Sequence, residues 1–311
     1  MGFETPEDIL KQYEDGLQGA VCDPVDMAKL MEELPRPLYG SIGNDLYGTG
    51  KGSLSLPYKA LQYFFPEFGA DEAQTTGDCV SHATRNAVDV TRAYEILYGR
   101  QKESFLARGA TEPIYGCRGH GGQGMQCSQA ARFVSLTGGF LLREKYSDIG
   151  VDLSKYDARI GTNWGSRGLP DSVVKKCAEH KMRTASNVTT IEQARDLIAN
   201  GYGLSVCSNY GFSSVRDKYG IAETKGSWSH AMAWIGCDDT HDRLNETLFL
   251  VQNSWGIWNS GPKVFDQPDG SFWIRQSVAE RMIAAGAAFA YSDFDGFTRK
   301  MNWTRIKEIF A

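Results

Sequence analysis

No stretch of this chain is apolar for long enough to cross a bilayer. The longest run, around Met282–Tyr291, is broken by Gly286 and falls short of the roughly 20 residues that a spanning helix needs. A polybasic arm is lacking too: Arg299–Lys300 and Arg305/Lys307 are too short to form one. With 33 Lys+Arg against 38 Asp+Glu the formal net charge is −5, which gives no electrostatic reason to bind nucleic acid or an anionic membrane. The opening residues, Met1 to Leu10, carry neither the basic nor the apolar segment of a secretory signal, and Pro6 stands where a myristoylation motif wants Ser or Thr. The expectation is a cytoplasmic or virion-associated protein without signal peptide or transmembrane segment, and the Asn-x-Thr sequons at Asn187, Asn245 and Asn302 are read as chance. Seven cysteines (Cys22, Cys79, Cys117, Cys127, Cys177, Cys207 and Cys237) form an odd, scattered set. Such a set makes no disulfide framework and fits a reducing compartment. Cys177, Cys207 and Cys237 each lie in an apolar pattern and read as small core filler.

What is present is the composition of an ordinary globular protein, 41% hydrophobic and 23% charged over 311 residues. That excludes wholesale disorder and a coiled-coil rod and leaves ample chain for a core. Residues 1–52 read as an N-terminal helical arm and Gly-rich linker, 53–294 as a packed domain and 295–311 as a tail. In the arm, Thr5 with Pro6 and Asp8, and Asp23 with Pro24 and Asp26, mark two helix starts. Pro35 and Pro37 stop the second helix. Gly40 to Gly52 reads as a linker, or as an arm laid over another surface.

Inside the packed domain, Val80, Ala83, Ala87, Val90, Tyr94 and Leu97 recur at three- and four-residue steps. They predict a helix with one apolar stripe, N-capped by Asp78 and stopped near Gly99. Further helices are predicted at about Gln126–Leu136, Asp171–His180 and Ile191–Asn200, the last capped by Thr190 with Gln193 three residues on. Past Gly201 come β-like runs at Gly203–Ser208, His230–Cys237, Thr247–Asn253 and Ser271–Gln276. Helices first and strands second is the signature of an α+β chain with two lobes.

Cys79 falls in the first turn of its helix, where free N–H groups and the helix dipole favour a thiolate. A thiolate needs a partner to take its proton and return it to a leaving group, and histidine suits that role. Of the five histidines, His230 opens a strand-like run, and the next such run ends at Asn253. Neighbouring antiparallel strands would bring the Asn253 amide oxygen to the His230 ring, fix its tautomer, and leave Trp255 to shield that bond. The competing reading is a core cysteine and an unrelated histidine.

Four segments then resemble papain-like cysteine peptidases: Gly77-Asp-Cys-Val-Ser-His-Ala83, Tyr115-Gly-Cys-Arg-Gly-His-Gly-Gly122, Ser229-His-Ala-Met-Ala-Trp-Ile-Gly236 and Gln252-Asn-Ser-Trp-Gly256, with Trp258, Gly270 and Ile274 in the pattern that follows. They occur in the family's order over about Leu54 to Tyr291. The resemblance implies the papain-like two-lobe α+β fold, a helical lobe and an antiparallel β-rich lobe with a cleft between them. It implies cysteine-type endopeptidase activity through an acyl-enzyme: Cys79 as nucleophile, His230 as base and then acid, Asn253 orienting the ring. The Cys79 backbone N–H and Gln74 would form the oxyanion hole, and Gly121 and Gly122 the cleft wall that pairs with an extended peptide. No cofactor is implied. The implied partner is a peptide or protein substrate, with residues 1–52 as a candidate surface for an assembly partner.

The chain departs from the family at several points. Gln74 stands five residues before Cys79, where six is usual. Asp78 replaces Ser, Val80 replaces Trp, and Thr76 stands where the family places the disulfide partner of the cysteine matching Cys117. No inhibitory prosegment signature is visible in residues 1–52. Cys117, His120 and Cys127 share one Gly-rich loop, but without a fourth ligand they are read as a cleft loop with no metal. Gly116–Gly124 lacks the Lys-Ser/Thr pair of a phosphate loop. His82 reads as a lobe-interface residue that could tune Cys79, and Asn253 argues against a transglutaminase, which usually has Asp as third member. The alternative function is a papain-fold structural or recognition protein, for example a phage virion component, with little or no turnover.

Overall fold

The computed structural model describes residues 18–21, 24–33, 46–98, 104–285 and 287–298. The first predicted arm helix, the Asp23 cap, the Pro35/Pro37 stop, the Gly99 stop and most of the tail lie outside them. Strand β1 (Ala20–Val21) and helix α1 (Pro24–Glu33) come first, followed by β2 (Leu54–Ser55) and α2 (Tyr58–Phe64). Helix α3 (Cys79–Leu97) is the axis of the molecule. Around it lie α4 (Glu112–Gly116), β3 (Met125–Gln126), α5 (Cys127–Arg132) with a π-helical turn at Phe133–Thr137, β4 (Lys145–Tyr146), β5 (Val151–Asp152), α6 (Ala158–Arg167) and α7 (Asp171–Cys177). The second half brings β6 (Thr184–Asn187), α8 (Ile191–Ala199), β7 (Leu204–Ser208), β8 (Phe212–Arg216), β9 (Ala222–Thr224), β10 (His230–Asp238), β11 (Leu248–Gln252), β12 (Ser271–Arg275), α9 (Gln276–Ala285) and β13 (Ala288–Ser292). Among the described residues no helix is long and apolar enough to cross a membrane.

The main sheet runs β12-β11-β10-β7-β13-β6, with β2 added against β10. Its pairings are antiparallel. Every residue of β10 is buried, and alternation sends its side chains to opposite faces. Ala231, Ala233 and Ile235 join the clusters beneath α3, while Met232 and Trp234 join the cluster that also holds Leu197 of α8 and Met282 of α9. A register shift between Trp234 and Gly236 resets the alternation, so Cys237 falls on the same side as Trp234.

The predicted helix at 79–97 is buried on nearly all sides, not along one stripe. Its polar face is covered by ion pairs from the loops: Glu72 with Arg85 at 3.0 Å, Asp89 with Arg108 at 3.1 Å, and Arg143 with Glu72 at 2.9 Å. The Thr190 cap forms as predicted. Residues 46–52 lie as an arm on the β-rich lobe, where the N–H groups of Gly48 and Gly50 donate to Asp196 and that of Gly52 to Asp239.

One expectation is corrected. Cys207 is not a free core thiol and the cysteines are not all reduced: Cys127 and Cys207 form a disulfide across 6.4 Å between Cα atoms. The helix start carrying Cys127 and the strand carrying Cys207 come within bridging reach only once the chain is folded. Cys79, Cys117, Cys177 and Cys237 are free.

Candidate active site

Cys79 is the first residue of α3, and Ala231, next to His230, hydrogen-bonds through its backbone to the Cys79 sulfur. The two expected partners therefore sit on elements packed face to face. The His230 Nε2 lies 2.8 Å from Asn253 Oδ1. The Ser254 backbone N–H donates to that same oxygen at 2.7 Å, which identifies it as the carbonyl end of the amide. Nε2 is then the donor, and the lone pair of the neutral ring resides on Nδ1, which is buried with no hydrogen-bond partner among the described residues. Trp255 lies over the ring, 4.7 Å between centroids and 39° between planes, and Trp228 meets the ring edge at 6.1 Å. Together the two indoles keep water from the His230–Asn253 bond.

Gln74 is brought to the same place. Its backbone N–H donates to Ser254 O at 2.8 Å, its carbonyl accepts from the Ser254 hydroxyl, and its Nε2 donates to Thr76 O at 2.8 Å. Asp78 does not cap α3 through its side chain. Its carboxylate accepts from the Tyr156 hydroxyl at 2.9 Å and stands 3.4 Å from His82 Nε2. The Asp78 carboxylate is thus turned towards Tyr156 and His82, not towards the free N–H groups of α3.

The cleft is filled by the chain itself. Residues 18–21 run between the two lobes: the Gly19 and Ala20 N–H groups both donate to Ser229 O at 2.9 Å, and Ser229 N–H donates to Gln18 Oε1 at 3.0 Å. On the other side Met125 N–H donates to Gly19 O at 2.9 Å, and β1 pairs in parallel with β3. A Cβ on Gly19 would stand 2.3 Å from Gly77 O and 2.7 Å from Gly124 Cα, so only glycine passes this point. Gly124, with φ +80°, is held as closely by Gly19. Gly121 and Gly122 are exposed and lie beside Ser166 and His120. The segment that pairs with β1 is Met125–Gln126, a few residues beyond Gly121 and Gly122. It is anchored by Gln123, whose Oε1 accepts from Gly77 N–H and the Thr76 hydroxyl.

Occlusion changes the chemistry. Cys79 and His230 are each 0% exposed. Burial pushes the Cys79 thiol up to about 12; backbone bonding from Ala231 opposes that rise and Asp78 adds to it. Burial lowers His230 to about 4 against the bond to Asn253. Both shifts favour the uncharged form of each group near pH 7.

Sequence reasoning missed Gln123, Gly124, Met125, the occupying strand and the disulfide. The Gly122-Gln-Gly124 repeat was the available signal for the wall. Cys127, bound to Cys207, is not available to join Cys117 and His120 around a metal.

No protein-family model matches the chain, and no curated protein sequence does. Among solved structures it is similar to xylellain, a cysteine protease from Xylella fastidiosa, with a TM-score of 0.57, 15% identity and coverage of 91% of this chain and 98% of that one. It is similar to proCathepsin B S9 from Trypanosoma congolense, with a TM-score of 0.56, 13% identity and coverage of 91% and 88%. The Amb a 11 cysteine protease, a major ragweed pollen allergen, in its proform, matches with a TM-score of 0.50, 12% identity and coverage of 92% and 78%. The chain has the papain-like cysteine protease fold, an α+β arrangement of helical and β-rich lobes.

Proposed function

We propose that this protein is a cysteine endopeptidase that hydrolyses peptide bonds through Cys79, His230 and Asn253, captured with its own residues 18–21 in the cleft. The observation that carries the reading is the 2.8 Å His230–Asn253 bond, which points the ring's basic nitrogen away from Asn253 beside a cysteine at a helix N-terminus. Once the cleft is vacated, His230 Nδ1 takes the thiol proton and the Cys79 sulfur attacks the scissile carbonyl carbon. The Cys79 N–H and, after release from Thr76 O, the Gln74 amide hold the oxyanion, each donor worth about 3 kcal/mol. The imidazolium returns its proton to the leaving amine, and water then hydrolyses the thioester. That two of the similar solved structures are proforms supports reading residues 18–21 as a self-occluding segment.

The test uses Gly19→Val, whose side chain has no room between Gly77 and Gly124. Peptide hydrolysis at pH 7 should rise at least tenfold over the unmodified chain, vanish in Gly19→Val/Cys79→Ala, and fall mainly in kcat in Gly19→Val/Asn253→Ala. An opened chain whose Cys79 reacts with an epoxysuccinyl probe but which cleaves no peptide would sink this reading. It would favour the alternative, a papain-fold recognition protein, to which the complete burial of Cys79 also lends support.

A further inference from the structure

The disulfide has no part in the chemistry above, yet it lies beneath the cleft. Cys127 directly follows β3, whose residues pair with β1. Cys207 lies on β7, opposite Ala231 and one residue from the partner of His230. Strand β1 lies against both β3 and β7, so the disulfide ties together the two walls that flank it. The strand alternates: Val21 is 46% exposed, while Ala20 is half-buried and packs on the large apolar core of the helical lobe, whose members include Met125, Cys127, Cys207 and Ala231.

We propose that the Cys127–Cys207 disulfide is the floor of the subsite that Ala20 fills, and that it restricts that subsite to side chains no larger than those of Ala or Ser. Two thiols on separate side chains could rotate apart to admit a larger group. A covalent bridge between two buried residues cannot, because both sulfurs are fixed by the two backbones they join. The surrounding residues are apolar, so a charged side chain would be buried there without a counter-ion. For substrate choice this deepens the peptidase reading and rests on it: the enzyme takes peptides with a small uncharged residue at the position that binds over the disulfide.

The experiment uses the full chain and needs no turnover. The rate of Cys79 alkylation by iodoacetamide is followed by peptide mass mapping in the series Ala20→Gly, Ala20→Ser, Ala20→Val and Ala20→Leu. Gly and Ser at position 20 should keep Cys79 protected, and Leu should raise its alkylation at least tenfold. In a Cys127→Ala/Cys207→Ala background the Leu chain should regain most of its protection. The proposal is overturned if Ala20→Leu leaves Cys79 as protected as Ala20 does, or if widening the floor gives no rescue in a folded protein. Cys127→Ser/Cys207→Ser supplies a second bridge-free background if the alanine pair does not fold, and the same rescue is expected there. Because alkylation reports occupancy, a chain that shows this pattern but cleaves no peptide refutes the peptidase reading and keeps the subsite.

Discussion

At the scale of residues, the buried Cys79 thiol and His230 ring are both shifted towards their uncharged forms. His230 sits near 4 where its ordinary value is 6.5, because burial outweighs the bond to Asn253. A group depressed on closing takes up a proton when the cleft opens, so the closed form loses stability as the pH falls from 6.5 towards 4. Cys79 is displaced the other way, from 9.0 to about 12, and opening releases its proton above pH 9. The closed form is therefore favoured between those limits. Lowering the pH from 7 to 5 should increase transient opening by about twentyfold, read as amide exchange at Gly19 and Ala20 after correction for intrinsic rates. Equal corrected rates at both pH values would show that His230 does not titrate on opening. The His230–Asn253 contact was legible in the sequence because a His that opens one strand-like run and an Asn that closes the next are local signals. The bond from Tyr156 to Asp78 was not, since 78 residues separate the two and only the fold joins them, whereas His82 lies one helical turn from Asp78.

At the scale of elements, strand positions were easier to foresee than helix burial. The runs at 203–208, 230–237, 247–253 and 271–276 are apolar and became β7, β10, β11 and β12 nearly residue for residue. Helix α9 and strand β13 were hidden because Met282–Tyr291 reads as one apolar stretch across the break at Gly286. Helix α6 was hidden by its composition: Gly161 and Gly165 are poor helix formers, placed where a Cβ would meet Glu112 and Arg118. For α3 the apolar stripe was right and the solvent-facing side was wrong, because the flanking loops fold Glu72 and Arg108 back over it and a more distant loop adds Arg143. Arg85 and Arg143 hold Glu72 below the usual carboxylate range against the opposing effect of burial. Removing it by Glu72→Ala leaves two buried guanidinium groups short of a partner and should cost about 3–5 kcal/mol, measured by urea denaturation. As a depressed carboxylate, Glu72 stabilises the fold above pH 4.5 and loses that contribution as the pH falls below it. A loss below 1 kcal/mol would mean that the charges of this cover are solvated.

At the scale of the whole molecule, the disulfide joins segments 80 residues apart in sequence and on opposite sides of the cleft. Cys127→Ala/Cys207→Ala should lower stability by about 2–4 kcal/mol, seen as an earlier denaturation midpoint with unchanged secondary structure by circular dichroism. No spacing rule could have paired these two among seven cysteines, since only the closed fold sets their walls side by side. The strand in the cleft has a different kind of reach. Because β1 belongs to the same chain as the walls it fills, a peptide in solution competes with an occupant whose effective concentration is of millimolar order. A substrate present at micromolar levels would be outcompeted by roughly a thousandfold on that basis, and diluting the protein would not relieve it. Severing the backbone between residues 34 and 45 would turn that internal contact into an ordinary bimolecular one. A single cut remote from Cys79 could then act as a switch set by dilution alone.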